Sequence, residues 1–125
     1  MKLENLIQAR KTLKTYANER VSSALAYKMM KFMKASSDED AFYNEKIRDV
    51  ISKFAEKDEN GEFVMQNGAI RIIKDKVVDC QKEIDAVGST DIEKPKITFT
   101  LSELNELKLS MSEVFTLDEF ITEEG

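Results

Sequence analysis

Apolar residues recur at helical spacing through the first half of the chain and lose that rhythm after residue 57. In residues 3–17, Leu3, Leu6, Ile7, Leu13 and Ala17 share one side of a helix, with no glycine or proline among them. Val21, Ala24, Leu25, Met29 and Phe32 continue the same phase. Periodicity alone would allow one long rod, but Asn18 and Ser22-Ser23 are weak helix formers and plausible caps, which favours a bend or short break near 18–23 over a continuous helix. Arg10, Lys14 and Lys28 fall within the apolar sector, where their stems can lie on the core while the charges reach outward. Ser36-Ser37-Asp38-Glu39 has the spacing of a capping box, in which the hydroxyl accepts an orphan amide N–H and the acid reaches back. The helix it opens, ending near Lys57, would bury Tyr43, Ile47, Val50, Ile51 and Phe54. The short link after Met33 predicts that this helix folds back antiparallel on the preceding one.

The second half is punctuated instead. Asn60-Gly61 and Asn67-Gly68 are two turn signals of the kind that most readily supplies positive φ angles. Phe63-Val64-Met65 and Ile70-Arg71-Ile72-Ile73 flank the second, which predicts a hairpin turning at Asn67-Gly68. Val77, Cys80, Ile84 and Val87 then mark a short amphipathic helix, with Asp75 as its cap and Gly88 as its stop. Pro95 forbids a helix interior, and Ile97-Thr98-Phe99-Thr100 reads as extended, either a third strand beside the hairpin or an edge segment. Two more capping boxes, Thr100-Leu101-Ser102-Glu103 and Ser110-Met111-Ser112-Glu113, open short terminal helices. The first would bury Leu101, Leu104 and Leu107, the second Val114, Leu117, Phe120 and Ile121. The tail Glu123-Glu124-Gly125 is expected to fray. The fold class that follows is α+β, mainly α: an antiparallel helical pair with a small β-hairpin and short C-terminal helices.

Composition narrows the picture. A chain of 125 residues with 42% hydrophobic content fits one domain, 1–125, with a helical part over 1–57 and a hairpin plus short helices over 58–125. A second independent core is not expected. No stretch approaches the ~20 apolar residues of a membrane helix. Arg10, Lys11 and Lys14 interrupt any apolar signal core, so a cytoplasmic location without membrane contact is expected. Cys80 is the lone cysteine and can form no internal disulfide, in keeping with a reducing compartment.

The net charge of −5 conceals an asymmetry. Residues 1–34 hold Lys2, Arg10, Lys11, Lys14, Arg20, Lys28, Lys31 and Lys34 against Glu4 and Glu19, whereas residues 101–125 are acidic, with Lys108 as their base. Two explanations stand side by side. The ends pack against or near each other, or Arg10, Lys11, Lys14, Arg20, Lys28 and Lys31 form a basic patch for phosphate or acidic partners.

Reactive chemistry is sparse. Without histidine there is no Ser-His-Asp or Cys-His arrangement and no zinc site that needs imidazole. Cys80 falls on a core stripe and reads as a buried, inert thiol. Asp58-Glu59-Asn60-Gly61 has the look of a calcium loop, but with Gly61 at the sixth position the twelfth is Asn67, which lacks the bidentate carboxylate, so a turn is expected. No pair of carboxylates is singled out by spacing, and no glycine-rich phosphate cradle occurs. Catalytic, cofactor-binding and metal-binding residues are therefore all read as none. The feature nearest to a binding surface is the group Tyr27, Met29, Met30 and Met33, which with Phe32 points around most of a helix. Either that helix is buried on several sides, or it offers an adaptable surface for a protein partner or a second copy.

The opening Met1-Lys2-Leu3-Glu4-Asn5-Leu6, the run Ala24-Leu25-Ala26-Tyr27-Lys28, the sequence Phe54-Ala55-Glu56-Lys57 followed by Asp58-Glu59-Asn60-Gly61, and Leu117-Asp118-Glu119-Phe120-Ile121 together resemble small accessory proteins of uncharacterised function encoded by phages and prophages of Gram-positive bacteria. The likeness spreads over nearly the whole chain. Members of that group often carry a proline near the position of Ser22, which this chain lacks. The resemblance implies a phage or mobile-element setting, in the host cytoplasm or on the virion, and supplies no catalytic residues. The function expected is thus a non-enzymatic accessory one, acting by protein–protein contacts in particle assembly or on a host protein. The alternatives are a nucleic-acid-binding or regulatory protein using the basic N-terminal helix, and an acidic mimic that inhibits a host nucleic-acid-binding protein through residues 101–125, with Glu103, Glu106, Glu119 and Glu123 as its charges.

Overall fold

In the computed structural model, residues 1–122 are described; Glu123-Glu124-Gly125, and with them the fraying expected there, lie outside the described residues. Helix α1 spans Leu3–Thr15, α2 Ser23–Ala35 and α3 Ser37–Phe54; strands β1 (Met65–Gln66) and β2 (Ala69–Ile70) follow. Helix α4 runs Val77–Gly88, β3 Phe99–Thr100, α5 Leu101–Leu104, α6 Met111–Leu117 and β4 Ile121–Thr122. The chain is mainly helical, with two small two-stranded sheets among the described residues.

The break between the first two helices falls where the weak formers stand, at residues 16–22, and Ser22 caps α2 by accepting from the Leu25 amide at 3.2 Å. The hairpin turns at Asn67-Gly68, whose φ angles of 54° and 80° suit a two-residue turn of the primed kind, with Met65 opposite Ile70. Asn60-Gly61 makes a second turn, and the Asp58 carboxylate accepts from the Asn60 and Glu62 amides at 2.9 and 3.0 Å. Both C-terminal capping boxes are complete.

The third box is not. Ser36 is fully buried and its hydroxyl donates to Phe32 O at 2.7 Å, while Arg10 Nη1 donates to that hydroxyl at 2.6 Å. A hydroxyl committed to a neighbouring helix leaves none to cap α3, and Glu39 is left with one buried carboxylate oxygen that has no hydrogen-bond partner. Asp75 does not cap α4 either; the residue before that helix is Lys76, preceded by a 3₁₀ turn over Lys74–Lys76. Ile97–Thr100 yields a strand, but β3 pairs in parallel with β4, Phe99 opposite Ile121, and not with the hairpin.

The helix that pairs antiparallel with α3 is α4, not α2. Lys53 Nζ meets the Glu83 carboxylate at 3.0 Å, while Phe42 and Lys46, earlier on α3, share a cleft with Ala86 and Val87, later on α4, and with Thr90 just beyond it. Ser36 is the single residue between α2 and α3, with φ −107° and ψ 6°, too short and too nearly helical to lay those two side by side. Gly88 does close α4, and its lack of a side chain has a packing reason as well: a Cβ there would lie 3.1 Å from Glu4 Cβ on α1.

Packing follows the chain ends and not the division at residue 57. The larger core joins Leu6, Ala9 and Leu13 of α1 and Leu25, Met29 and Phe32 of α2 to Phe99, Leu104, Leu107, Leu117 and Phe120. Phe32 is the hub, with the Phe120 ring edge-on at 4.8 Å and the Phe99 ring tilted at 6.0 Å, contacts worth about 0.5–1.5 kcal/mol each beyond burial. A smaller cluster of Val50, Phe54 and Cys80, flanked by Ile72, Ile84 and Val87, forms between α3, α4 and the hairpin. Several residues expected inside are exposed: Val77 (53%), Leu101 (57%) and Val114 (37%), along with Ala17 and Ala24. Each stands at or near a helix end or on a face that no other element covers.

Candidate interaction surface

Helices α1 and α2 run in opposite directions about the 16–22 turn, since Arg10 reaches Met33 O at 2.8 Å near the end of α2 while Tyr16 and Ala17 share a groove with Val21 and Ala26 near its start. Between them lies that groove of about 310 Å³, walled by Leu13, Tyr16, Val21, Met29, Met30 and Met33 and edged by Lys14 and Glu19. Lys14 and Met33 form a ridge between it and a second cleft of about 250 Å³, lined by Arg10, Lys11, Asp40, Tyr43 and Asn44. Sharing those two residues, the clefts adjoin as a divided trough, apolar at one end and at the other lined by Arg10, Lys11 and Lys14 with the Asp40 carboxylate among them.

The four residues expected at a partner surface divide. Met29 is 8% exposed, belongs to the same core cluster as Leu13, and with it lines the groove from within. Met30 is 41% exposed and Tyr27 61%, and Met33 packs half-buried against the core edge. One turn of helix separates the buried Met29 from Met33, and the adjacent Met30 points about 100° away, which is why adjacent methionines do different work.

The expected basic patch divides as well. Arg10 is committed inside the fold: besides Met33 O and Ser36, it stands 3.5 Å from the Asp40 carboxylate, with its side chain 14% exposed. Lys28 pairs with Glu103 at 2.7 Å and lies 5.7 Å from the Phe99 ring centre. Lys11, Lys14 and Arg20 are exposed and stand in no ion pair among the described residues, and Lys31 sits 5.6 Å over the Tyr27 ring. The cation–π contact leaves the Lys31 charge in water.

The acidic C-terminal segment answers the basic N-terminal one directly. Glu106 accepts from the Ser22 amide and hydroxyl, both at 2.8 Å, placing a carboxylate at the positive end of α2. Glu103 serves the Thr100 cap and Lys28 together, and the Lys28 ammonium foremost holds its carboxyl below the usual range. Glu113 serves the Ser110 cap and accepts from Tyr16 Oη at 2.6 Å; the Ser110 amide and then that phenol lower its pKa, and the same bond raises the Tyr16 pKa. Thr12 and Thr116 hydroxyls meet at 2.6 Å between α1 and α6. The two ends are thus packed together, with Lys28–Glu103 as the ion pair that joins them among the described residues and hydroxyl and amide donors supplying the other polar contacts. Of the acids expected in a mimic, Glu103 and Glu106 are engaged internally, Glu119 is exposed, and Glu123 lies outside the described residues.

No family model, curated protein or solved structure matches the chain.

Two surfaces were not read from the sequence. A cleft of about 320 Å³ lined by Ile51, Ile70, Ile72, Val77, Cys80 and Ile84 opens beside the hairpin; burial there raises the Cys80 thiol pKa, so the neutral thiol persists. The other is the outer face of α6, where Met111 is 77% and Phe115 73% exposed. The signal for the latter was present: Phe115 stands two residues before the buried Leu117, and two residues on a helix is about 200° of rotation. No group of metal-ligating side chains converges among the described residues, and none of their helices is long and apolar enough to cross a membrane.

Proposed function

We propose that this chain is a non-enzymatic accessory protein of phage or prophage origin that works by protein–protein contacts, in particle assembly or on a host protein, with the α1–α2 trough as its contact surface. The observation that carries the reading is the half-open apolar groove at Tyr16, Val21, Met30 and Met33, beside the exposed Tyr27. Methionine walls adjust to irregular partners, and an apolar floor with a polar rim is the anatomy of a contact surface. The sequence resemblance supports the phage setting. A nucleic-acid partner is less favoured because Arg10 and Lys28, two of the six bases it would use, are bound to Asp40 and Glu103.

The test is a photo-crosslinking residue placed at Met30, in cells that produce the full chain, beside the same residue at the exposed Asp91 as control. Protein adducts from position 30 that are missing from position 91 support the reading. A clean result at position 30, with no adduct to any protein, this chain included, overturns it.

A further inference from the structure

The trough and the outer face of α6 carry opposite chemistry in the same order. Along the trough, the apolar wall of Met30 and Met33 gives way to Lys14 and Lys11, which stand in no ion pair among the described residues, while the Asp40 carboxylate beside them is taken up by Arg10. On α6, Met111 and Phe115 stand one helical turn apart on one face, and Phe115 shares a surface cleft with Asp118 and Glu119. Those two carboxylates enter no ion pair among the described residues. Apolar then basic on one surface faces apolar then acidic on the other.

We infer that the trough takes the α6 face of a second copy of this chain, Phe115 seated against Met30 and Met33 and the carboxylates of Asp118 and Glu119 against Lys14 and Lys11. This deepens the reading of the trough as a contact surface and rests on it. Within one molecule α6 lies along the opposite flank of α1, where Thr116 meets Thr12, so a chain does not fill its own trough with Phe115, which stays 73% exposed. Because the two patches lie on opposite flanks of α1, one partner does not engage both at once, so the contact is head-to-tail: it leaves a free trough at one end and a free α6 face at the other and propagates into rings or filaments. Exposed charge pairs guide such a contact and make it sensitive to salt.

Light scattering and sedimentation velocity on the purified full chain test this. The expected result is a molar mass that climbs with concentration at low salt and falls back when salt is added. Two surface variants, Lys11→Glu with Lys14→Glu, and Phe115→Ser with Asp118→Asn, should each weaken self-association about tenfold or more while keeping the helical circular dichroism of the parent. Mixing the two is the decisive arm, because each still holds one intact face: the head-to-tail contact gives a one-to-one dimer and nothing larger. A chain that stays monomeric at every concentration overturns the inference, as does self-association that neither variant weakens or a mixture of variants that remains monomeric. If any of these is seen while position 30 still crosslinks a different protein, the contact reading stands and only the second copy is lost.

Discussion

The two ends of the chain and its middle solve the same folding problem with very different means. The ends place eleven buried residues in one cluster, with the Phe32 ring against those of Phe99 and Phe120, whereas the middle closes over three, Val50, Phe54 and Cys80. The ends are also cross-linked by polar groups that do two jobs each: Glu103 and Glu113 cap their own helices and accept from Lys28 and Tyr16. The middle relies on local bonds, a hairpin two residues deep and the bidentate Arg71–Glu56 pair at 2.5 and 2.8 Å. A hairpin alone is marginal in water. Stability should therefore reside in the ends, with the middle as a dependent layer on α3 and α4.

The largest effect should come from the hub of the larger core. Phe32→Ala is expected to cost about 3–5 kcal/mol in urea denaturation, and Phe54→Ala to fall toward the bottom of that range, because its site is smaller and nearer to water. Hydrogen exchange distinguishes the two: Phe54→Ala should release amides of α3, α4 and the hairpin while those of α1 and α2 stay protected. Equal, global loss of protection in both variants would erase the contrast between the regions.

Next is the seam where α1 meets α4. Gly88→Ala adds a methyl group 3.1 Å from Glu4 Cβ and 2.7 Å from a Glu4 carboxylate oxygen that can swing away. Crowding of about 1–3 kcal/mol against a helix-propensity gain of about 1 kcal/mol leaves a net loss near 1 kcal/mol. A rise in the urea midpoint would show that the two helices have room to part.

Acid should loosen both regions through different carboxylates. The folded pKa values of Glu103, Glu113 and Glu56 are depressed, the last chiefly by its hydrogen bond to Arg71. Their stabilisation is present above the unfolded glutamate pKa of about 4.3 and disappears as pH falls through the lower folded values. At the alkaline side the raised Tyr16 pKa works in the opposite sense: its contribution is intact below the ordinary tyrosine value of about 10 and is lost as pH rises through the folded one. Glu56→Gln should flatten the acid response of hairpin amides in an exchange experiment and leave that of α5 and α6 unchanged. A flattened response at both places would mean that the regions titrate as one unit.

The smallest effect belongs to the open face of the middle. Val78 is 66% exposed, and Val78→Lys should shift stability by no more than about 0.5 kcal/mol. A loss several times larger, read from the urea midpoint, would mean that this face is covered in solution.

Sequence by itself determined what short-range chemistry can decide. The Asn67-Gly68 turn and the boxes at Thr100 and Ser110 each depend on residues within one turn of one another, so their spelling was enough, whereas the helical phase that α1 and α2 share would also have suited one rod. The opposed charges of the two ends allowed that they meet but equally allowed a basic patch for an outside partner, and only the fold brought Glu103 to Lys28. Only tertiary structure decided which partner each element takes. Ser36-Ser37-Asp38-Glu39 is spelled like the other two boxes, yet Arg10, twenty-six residues away, claims the Ser36 hydroxyl and no cap forms. The antiparallel mate of α3, the burial of Met29 beside the open Met30, and the exposed Phe115 are of the same kind. Periodicity fixes which residues share a side of a helix, but whether that side meets a neighbour or water depends on segments far off in the chain, and a local pattern does not contain them.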